Sequence, residues 1–481
     1  MSQSRLASCI PLPLEPKVLT NVIEKAKDWA LMHGVGMRDR KHFNKDFLQI
    51  APFVLLPSPF PRTEFEKAVD LQPVLNELMH KVAHDDDFLE NTLQNALQVD
   101  EFTASLYEIW TKVRSEGIAQ SLSLGLFRSD YLMQYPERNS IKQVEFNTIA
   151  ASFGAITSYL PEMNRYVLKQ LRRSDLMKNM PDNRALSGLC GGIIEAFDLF
   201  GSPEAQVLFV VEEVSYNICD QRFHEFEISE KRPDIQIHRK TLNEIFEETE
   251  LNDKKQLILD GRPVAVVYYR SGYEPAQYPS AREWEARLRV ERSTAIKCPS
   301  IHYQLAGTKK VQQALAAPGV LEKFMGAGGA TSRVRDIFTG LYSLDFDESG
   351  ERAVEMALAD ADKYVLKPQR EGGGNNVYGA EVREALLKMR HSRERAAYIL
   401  MERILPPLVS GYVVRPGGPV PPPLVDLVSE LGIFGVIIGT KDKIFCNRQV
   451  GHMLRTKLAD ANEGGVAAGL GALDSPYLLD L

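Results

Sequence analysis

Two short stretches of the 481-residue chain carry residue types able to hold a phosphorylated, metal-bound ligand. The first reads Lys367-Pro368-Gln369-Arg370-Glu371-Gly372-Gly373-Gly374-Asn375-Asn376, directly after the apolar triplet Tyr364-Val365-Leu366. Glycine lacks Cβ, so three in a row let backbone N–H groups approach a ligand closely and accept positive φ. Consecutive N–H groups in such a turn cradle phosphate oxygens. Lys367 and Arg370 add positive charge there, and Glu371 is placed to hold a metal ion. The string is neither the Walker phosphate loop nor the dinucleotide-binding glycine motif. A plain flexible glycine loop is the competing explanation, and it leaves the flanking Lys, Arg, Glu and paired Asn without a purpose. The second stretch is Gln143-Val144-Glu145-Phe146-Asn147. In a strand, Val144 and Phe146 would face a core while Gln143, Glu145 and Asn147 share the other face. A carboxylate and an amide oxygen two residues apart suit one hard cation such as Mg²⁺. Taken alone, an amphipathic strand with a solvated polar face accounts for the pattern as well. The segment that follows, Thr148-Ile149-Ala150-Ala151-Ser152-Phe153-Gly154, is small and polar enough to leave backbone groups open to a ligand.

Cations recur at the ends of apolar runs. Arg128 follows a strand-like run, Arg270 follows Val264-Ala265-Val266-Val267-Tyr268-Tyr269, and Leu454-Arg455-Thr456-Lys457 precedes a second small-residue loop, Glu463-Gly464-Gly465-Val466-Ala467-Ala468-Gly469. Basic residues at strand ends of open α/β sheets face the ligand crevice. Any one of these arginines alone reads as a surface ion-pair partner; beside two glycine-rich loops they read as a set. His84-Asp85-Asp86-Asp87 resembles a metal cluster but stands before an apolar helical run, where it acts as a cap. The nine histidines include no HExxH motif, which argues against zinc. No serine or cysteine carries a nucleophile signature, which argues against covalent catalysis. Phosphates, a hard metal and gathered arginines together point to an ATP-dependent enzyme acting on a carboxylate-bearing small molecule.

These residues need elements to position them. Strand signals fall at residues 121–127, 142–147, 206–211, 264–269, 364–367, 398–402 and 424–430, with helical periodicity from Pro16 to Gly34, at 101–116 and at 280–296. Alternating strands and helices predict an α/β or α+β enzyme with more than one lobe. The proline-rich passages 52–61 and 416–423 are expected to be surface loops or connectors. Boundaries near 203 and 307 divide the chain into 1–203, 204–307 and 308–481.

Composition narrows the class further. Fifty-seven basic against 64 acidic residues give a net charge of −7, which excludes a general nucleic-acid binder. No apolar run approaches the ~20 residues that cross a bilayer. The N-terminal residues lack a signal-peptide core, so no membrane association is expected. The five cysteines Cys9, Cys190, Cys219, Cys298 and Cys446 form neither a CxxC nor an even framework. A reducing cytoplasm is the expected location.

The chain resembles the eukaryotic-type glutathione synthetases. The resemblance rests on FRSDYL (127–132), VEFNTIAASFG (144–154), VAVVYYRSGY (264–273), QLAGTKKVQQ (304–313), YVLKPQREGGGNNVYG (364–379), YILMERI (398–404), SELGIFG (429–435) and LRTK with EGGVAAG (454–457 and 463–469). These strings fall in order, and the resemblance spans nearly the whole chain, from about residue 16 to 478. The resemblance implies an ATP-grasp fold with an inserted substrate-binding domain, a homodimer, and ligation of γ-glutamylcysteine to glycine through an acyl phosphate.

It also implies roles. Glu145, Asn147 and Glu371 match Mg²⁺ ligands. Lys309, Lys367 and Lys457 match lysines on the ATP phosphates, with Gly372, Gly373, Gly374, Asn375 and Asn376 as the phosphate loop. Tyr378, Met401, Glu402, Arg403, Ile404, Glu430 and Glu463 surround the nucleotide. Arg128, Ala150, Ala151, Ser152, Ser215, Tyr216, Asn217, Gln221, Arg270, Ser271, Gly272, Tyr273 and Arg455 surround the dipeptide, while Val466 and Ala467 belong to the closing loop. Arg128 and Arg455, with Lys367, stand out for stabilising the anionic intermediates. The chain departs from relatives at Ser215-Tyr216, which replace Glu-Arg, at Ala150 for serine and at Ser271 for aspartate. Residues 324–335 and 413–423 match poorly and are expected to be surface loops. A silent homologue would have lost metal or phosphate residues, and all are present. A carboxylate kinase without an amine acceptor would not need the second glycine-rich loop.

Overall fold

The computed structural model describes residues 5–135, 139–371, 374–462, 464–466 and 471–481. Among them, the main framework is a seven-stranded sheet. Its strand order is Val409–Val414, Phe53–Val54, Gly471–Asp474, Lys443–Leu458, Leu424–Thr440, Ser123–Gln134, Ser140–Asn147. Leu424–Thr440 and Lys443–Leu458 form a long antiparallel hairpin, and Leu424–Thr440 also pairs along its length with Ser123–Gln134. Alternate residues of these strands feed two cores. Leu126, Val436, Ile438 and Met453 pack on one face with the helices Ile156–Gln170 and Ala185–Phe200. Phe127, Tyr131, Ile433 and Leu454 pack on the other with the helix Arg62–Ala83. Period-two alternation in a two-sided sheet requires this division.

Two smaller sheets flank the framework. The first has six strands and centres on Gln206–Val210 and Arg262–Tyr269, which run parallel and are buried apart from the first two residues of the latter. Their unbroken apolar runs fit a parallel sheet covered on both faces. The second is antiparallel, in the order Leu341–Ser343, Tyr398–Glu402, Tyr364–Pro368, Val377–Tyr378. The helices Glu348–Ala359 and Ala380–Met389 supply its core through Val354, Val382 and Leu386.

The mixed α/β reading holds, and Glu101–Glu116 is helical over the expected span. Asp85 caps the helix Asp86–Leu93, accepting from the Phe88 amide at 2.9 Å, as expected of the His-Asp-Asp-Asp string. Three local expectations fail. The proline-rich segment at 52–61 is not a surface loop: it contains the strands Phe53–Val54 and Ser58–Pro61 and is almost wholly buried. Among the described residues Ser58–Pro61 pairs only with Pro476–Leu479, so its prolines sit where no second neighbour needs their missing N–H. Residues 324–335 form parts of two helices, Val320–Met325 and Gly329–Ile337, because Leu321, Val334 and Ile337 bury an apolar side. The helix expected at 280–296 stops at Arg292, and Ile296–Cys298 becomes a strand beside Arg262–Tyr269.

Candidate active site

A cleft opens between the free edge of the seven-stranded sheet and the four-stranded sheet. It is lined by Glu145 and Asn147 on one side, Lys367, Glu371 and Tyr378 on another, and Arg128, Glu430, Arg455 and Lys457 on its floor. The floor is set by strand register: Arg128 lies opposite Asn147, Asp130 opposite Glu145, and Glu430 opposite Arg455. Gly432 lies opposite Asp130, and a Cβ there would come within 2.8 Å of both Arg128 Cδ and Asp130 Oδ1. Only glycine leaves room for that ion pair.

Three charged groups converge at the cleft's edge. Lys309 Nζ lies 3.1 Å from Glu145 Oε2 and 3.0 Å from Glu371 Oε1. Burial pushes the Glu145 carboxyl up, but Lys309 and then Lys367 more than offset this and hold it well below the usual range. Glu371 behaves oppositely: burial carries it up to about 7, with Lys309 opposing and Glu145 adding to the rise. Two carboxylates on either side of one ammonium offer oxygen ligands that a divalent cation would bind. Asn147 donates its amide to Asp130 Oδ2 at 3.0 Å and to the Arg128 carbonyl at 3.4 Å, which leaves its side-chain carbonyl oxygen for the cleft. Two carboxylates and an amide oxygen suit Mg²⁺ carried chiefly on phosphates, since Mg²⁺ takes few protein ligands in nucleotide sites. Among the described residues no cluster of three His, Cys, Asp or Glu forms an all-protein metal cage. Lys367 donates to the Val144 carbonyl at 2.8 Å, and burial lowers its pKa.

The arginines are oriented by buried acids. Asp130 grips Arg128 through two bonds, of 2.6 and 2.8 Å, and Arg128 also donates to the Ser152 carbonyl at 3.2 Å. Burial disfavours the Arg128 charge, and Asp130 more than compensates. Arg455 pairs with Glu430 and stays cationic against burial for that reason. Arg270 donates to Ser152 Oγ at 2.8 Å, the Ala151 carbonyl at 3.3 Å and Asp220 at 3.2 Å. Asp220 is fully buried and also accepts from the Phe153 amide at 2.8 Å and the Ala155 amide at 2.9 Å. The loop it holds contains two non-glycine residues at positive φ, Ala150 at 50° and Phe153 at 73°. Such backbone costs about 1–3 kcal/mol per residue and persists only where its surroundings impose it. Here the anchor is one carboxylate on the helix Ile218–Lys231.

At the other end, Val365, Met401, Glu402, Arg403, Ile404 and Tyr378 line a slot facing Leu132 and Val428. Met401 and Ile404 are buried, giving apolar walls suited to a flat ring. Glu402 is held by the Tyr342 hydroxyl at 2.7 Å.

Most of the residues singled out in the sequence meet here. Arg128, Glu145, Asn147, Ala150, Ser152, Tyr216, Tyr273, Lys367, Glu371, Asn376, Tyr378, Met401, Glu402, Arg403, Ile404, Glu430, Arg455, Lys457 and Val466 line the cleft. Lys309, Arg270, Ala151 and Asn217 stand behind its wall, in contact with lining residues or with Asp220. Ser215 and Gln221 lie further back, joined through Arg239 at 3.1 and 2.7 Å. Ser271 and Gly272 are buried beside Arg270, while Gly374 and Asn375 are exposed. Gly372, Gly373, Glu463 and Ala467 lie outside the described residues. Two expectations fail: Arg128 lies within the strand Ser123–Gln134 and not at a strand's end, and Val144 does not join Phe146 in the core but lines the cleft with Glu145. Asp130 pairs with Glu145 and Tyr131 with Gln143, so Val144 is the extra residue of a bulge and the alternation breaks there. Sequence reasoning missed Asp130 and Asp220. Asp130 stands within FRSDYL, marked for Arg128, and Asp220 stands between Asn217 and Gln221, where an acid in the first turn of a helix reads as an ordinary dipole partner.

The sequence matches the family described as eukaryotic glutathione synthase, ATP binding domain, over residues 16–478. It is 44% identical to a glutathione synthetase of Xenopus laevis, covering 97% of this chain and 98% of the relative. It is 45% identical to a glutathione synthetase of Homo sapiens, covering 95% and 97%. Its fold is similar to that of a glutathione synthetase-like effector of Globodera pallida solved in its apo form. That likeness has a TM-score of 0.79 and 25% identity, covering 98% of this chain and all of that one.

Proposed function

The chain belongs to the eukaryotic glutathione synthetase family, and from that premise we propose that it joins γ-glutamylcysteine to glycine with conversion of ATP to ADP and phosphate. The observation that carries this reading is the convergence of Glu145, Lys309 and Glu371 opposite Arg128 and Arg455 across one cleft. Such a site neutralises a triphosphate on one side and a carboxylate on the other.

The nucleotide's base lies in the slot of Met401 to Ile404, and its phosphates run toward Lys309, Lys367 and Lys457. Glu145, Asn147 and Glu371 hold Mg²⁺, which when bound draws charge from the phosphate oxygens. The dipeptide lies along Ala150, Ala151, Ser152, Tyr216 and Tyr273, with Asn217, Gln221 and Arg270 behind it. Its glycine-accepting carboxylate meets Arg128 and Arg455 and attacks the γ-phosphorus, releasing ADP and leaving an acyl phosphate. The glycine amine then adds to the acyl carbon, and the tetrahedral oxyanion that forms is stabilised by the same arginines. Collapse expels inorganic phosphate, which can carry away the amine proton. No group on the protein forms a covalent bond, so rate comes from positioning and charge.

The division at 203 and 307 is supported by the six-stranded sheet, which runs from Gln206 to Cys298. All five cysteines are free, which supports a reducing compartment. Among the described residues no helix is long and apolar enough to cross a membrane. A homodimer rests on the family resemblance alone. The functional reading is tested by incubating the chain with ATP, Mg²⁺, γ-glutamylcysteine and glycine and identifying products by mass spectrometry. Glutathione and ADP in equal amounts support it; ADP formed equally fast without glycine would favour a carboxylate kinase and refute it.

A further inference from the structure

We propose that Gln312, which does not line the cleft, is a positioning residue for phosphoryl transfer. Its side-chain amide fixes the strand bearing Glu145 and Asn147 against the helix bearing Lys309. The proposal rests on the nucleotide-site reading above. Among the described residues, Ser140–Asn147 is the edge of the seven-stranded sheet and pairs on one side only, with Ser123–Gln134. An edge strand presents N–H and C=O groups that need partners. At Phe146 those partners come from a single side chain. The Phe146 amide donates to Gln312 Oε1 at 2.8 Å, and Gln312 Nε2 donates back to the Phe146 carbonyl at 3.2 Å. A primary amide, with one donor face and one acceptor face, thereby takes the place of a neighbouring strand.

The residue so gripped is the one between Glu145 and Asn147. Gln312 Nε2 donates a second bond, of 2.8 Å, to the carbonyl of Gly307, two residues before Lys309. Gln312 lies three residues after Lys309 in the helix Lys309–Leu315, on the same side of it. Lys309 in turn reaches Glu145 and Glu371. A second amide completes the arrangement: Gln369, two residues before Glu371, accepts from the Lys310 amide at 3.0 Å. Lys367 caps the remaining outward carbonyl nearby, that of Val144. Glu145, Lys309 and Glu371 come from three distant segments, and buried glutamines set the distances between them. Gln312 is nearly inaccessible, at 9% exposure.

A merely structural glutamine would lower stability and leave every substrate equally affected. A positioning residue moves the nucleotide and metal terms and spares the dipeptide's far end, because Arg270 and Asp220 bond to each other and to the 150–155 loop, not to the strand that Gln312 grips. The test uses the full chain and Gln312→Met, which keeps the volume and removes all three bonds. Initial rates are measured against ATP, Mg²⁺, γ-glutamylcysteine and glycine, with thermal unfolding alongside. The expected result is a rise of about tenfold or more in the Mg²⁺ and ATP concentrations for half-maximal rate and a lower kcat, with the dipeptide KM within about twofold of wild type. Equal rises for ATP and dipeptide, or unchanged ATP and Mg²⁺ dependence in a folded variant, overturn the proposal. Amide hydrogen exchange supplies an arm that needs no variant. In the wild-type chain the Phe146 amide should exchange as slowly as the interior Ile433, and exchange at an exposed-edge rate overturns the proposal even if Gln312→Met does not fold. A wild-type chain that makes no ADP with the dipeptide refutes the functional reading instead, and is told apart from failure of the clamp by the exchange result.

Discussion

Glu371→Gln removes one of the two carboxylates that share the Lys309 ammonium, and its effects on activity and on stability run in opposite directions. In the folded chain the Glu371 carboxyl titrates at about 7, because burial and the neighbouring Glu145 outweigh Lys309. Its usual value is 4.5. A group with a raised folded pKa favours folding while protonated, and stability falls as pH rises from about 4.5 to about 7. At pH 8 it is ionised in both states, so the folded chain bears the full cost, up to ~3 kcal/mol. Glutamine keeps the shape, carries no charge and leaves Lys309 paired with Glu145 at 3.1 Å. At pH 8 the variant is therefore expected to melt no lower than wild type, and up to a few degrees higher. Turnover should fall by about 10²–10⁴, the usual effect of losing a metal-bound carboxylate and its charge in phosphoryl transfer. Differential scanning calorimetry and ADP release at saturating Mg²⁺ measure the two effects. A variant retaining more than about a third of wild-type turnover, or one melting several degrees lower, would refute the assignment of Glu371 as a buried charge kept for function.

Asp220→Asn should raise the γ-glutamylcysteine KM by about tenfold or more while sparing the ATP KM. The change leaves Arg270 buried without its anion and loosens the 150–155 loop, and steady-state kinetics with each substrate varied would show it. His80, buried between the Tyr303 hydroxyl and the Thr440 carbonyl, has its pKa lowered to about 4 by burial. The stability tied to its neutral form, up to ~3 kcal/mol, is present above about pH 6.5 and lost as pH falls toward 4. The melting temperature should thus drop between pH 7 and pH 5 more in wild type than in His80→Gln. Gly464, Gly465 and Val466 crowd the cleft, so glycine should exceed β-alanine in kcat/KM by roughly 10- to 200-fold. A ratio below about threefold would free these residues from any role in acceptor size.

The chemistry was legible in the sequence where one strand or loop carried it. Lys367 to Glu371 and Glu145 to Asn147 were found because residue type, spacing and strand context agreed within a few positions. The long hairpin was only half visible: a strand was expected at 424–430, but it continues through Gly432 and Gly435 to Thr440. Gly432 lies within the strand and leaves room for Arg128 and Asp130. Val144 escaped because a bulge is a property of two strands, and one strand's pattern cannot reveal it. Asp220 and Gln312 escaped for the same kind of reason. Each acts on backbone far away in sequence, Asp220 on Phe153 and Gln312 on Phe146, and helical periodicity says nothing of such partners. The buried prolines at 59 and 61 were misread because proline marks a missing donor, and the fold placed them where no donor was required.

The mechanism requires that this cleft activate a carboxylate by phosphorylating it before the amine arrives. Isotope transfer tests that claim most directly. γ-Glutamylcysteine labelled with ¹⁸O in its cysteinyl carboxylate is turned over with ATP, Mg²⁺ and glycine, and the inorganic phosphate is examined by mass spectrometry. One labelled oxygen is expected in each phosphate, carried across in the acyl phosphate, and none in ADP. Unlabelled phosphate alongside newly formed glutathione would contradict it.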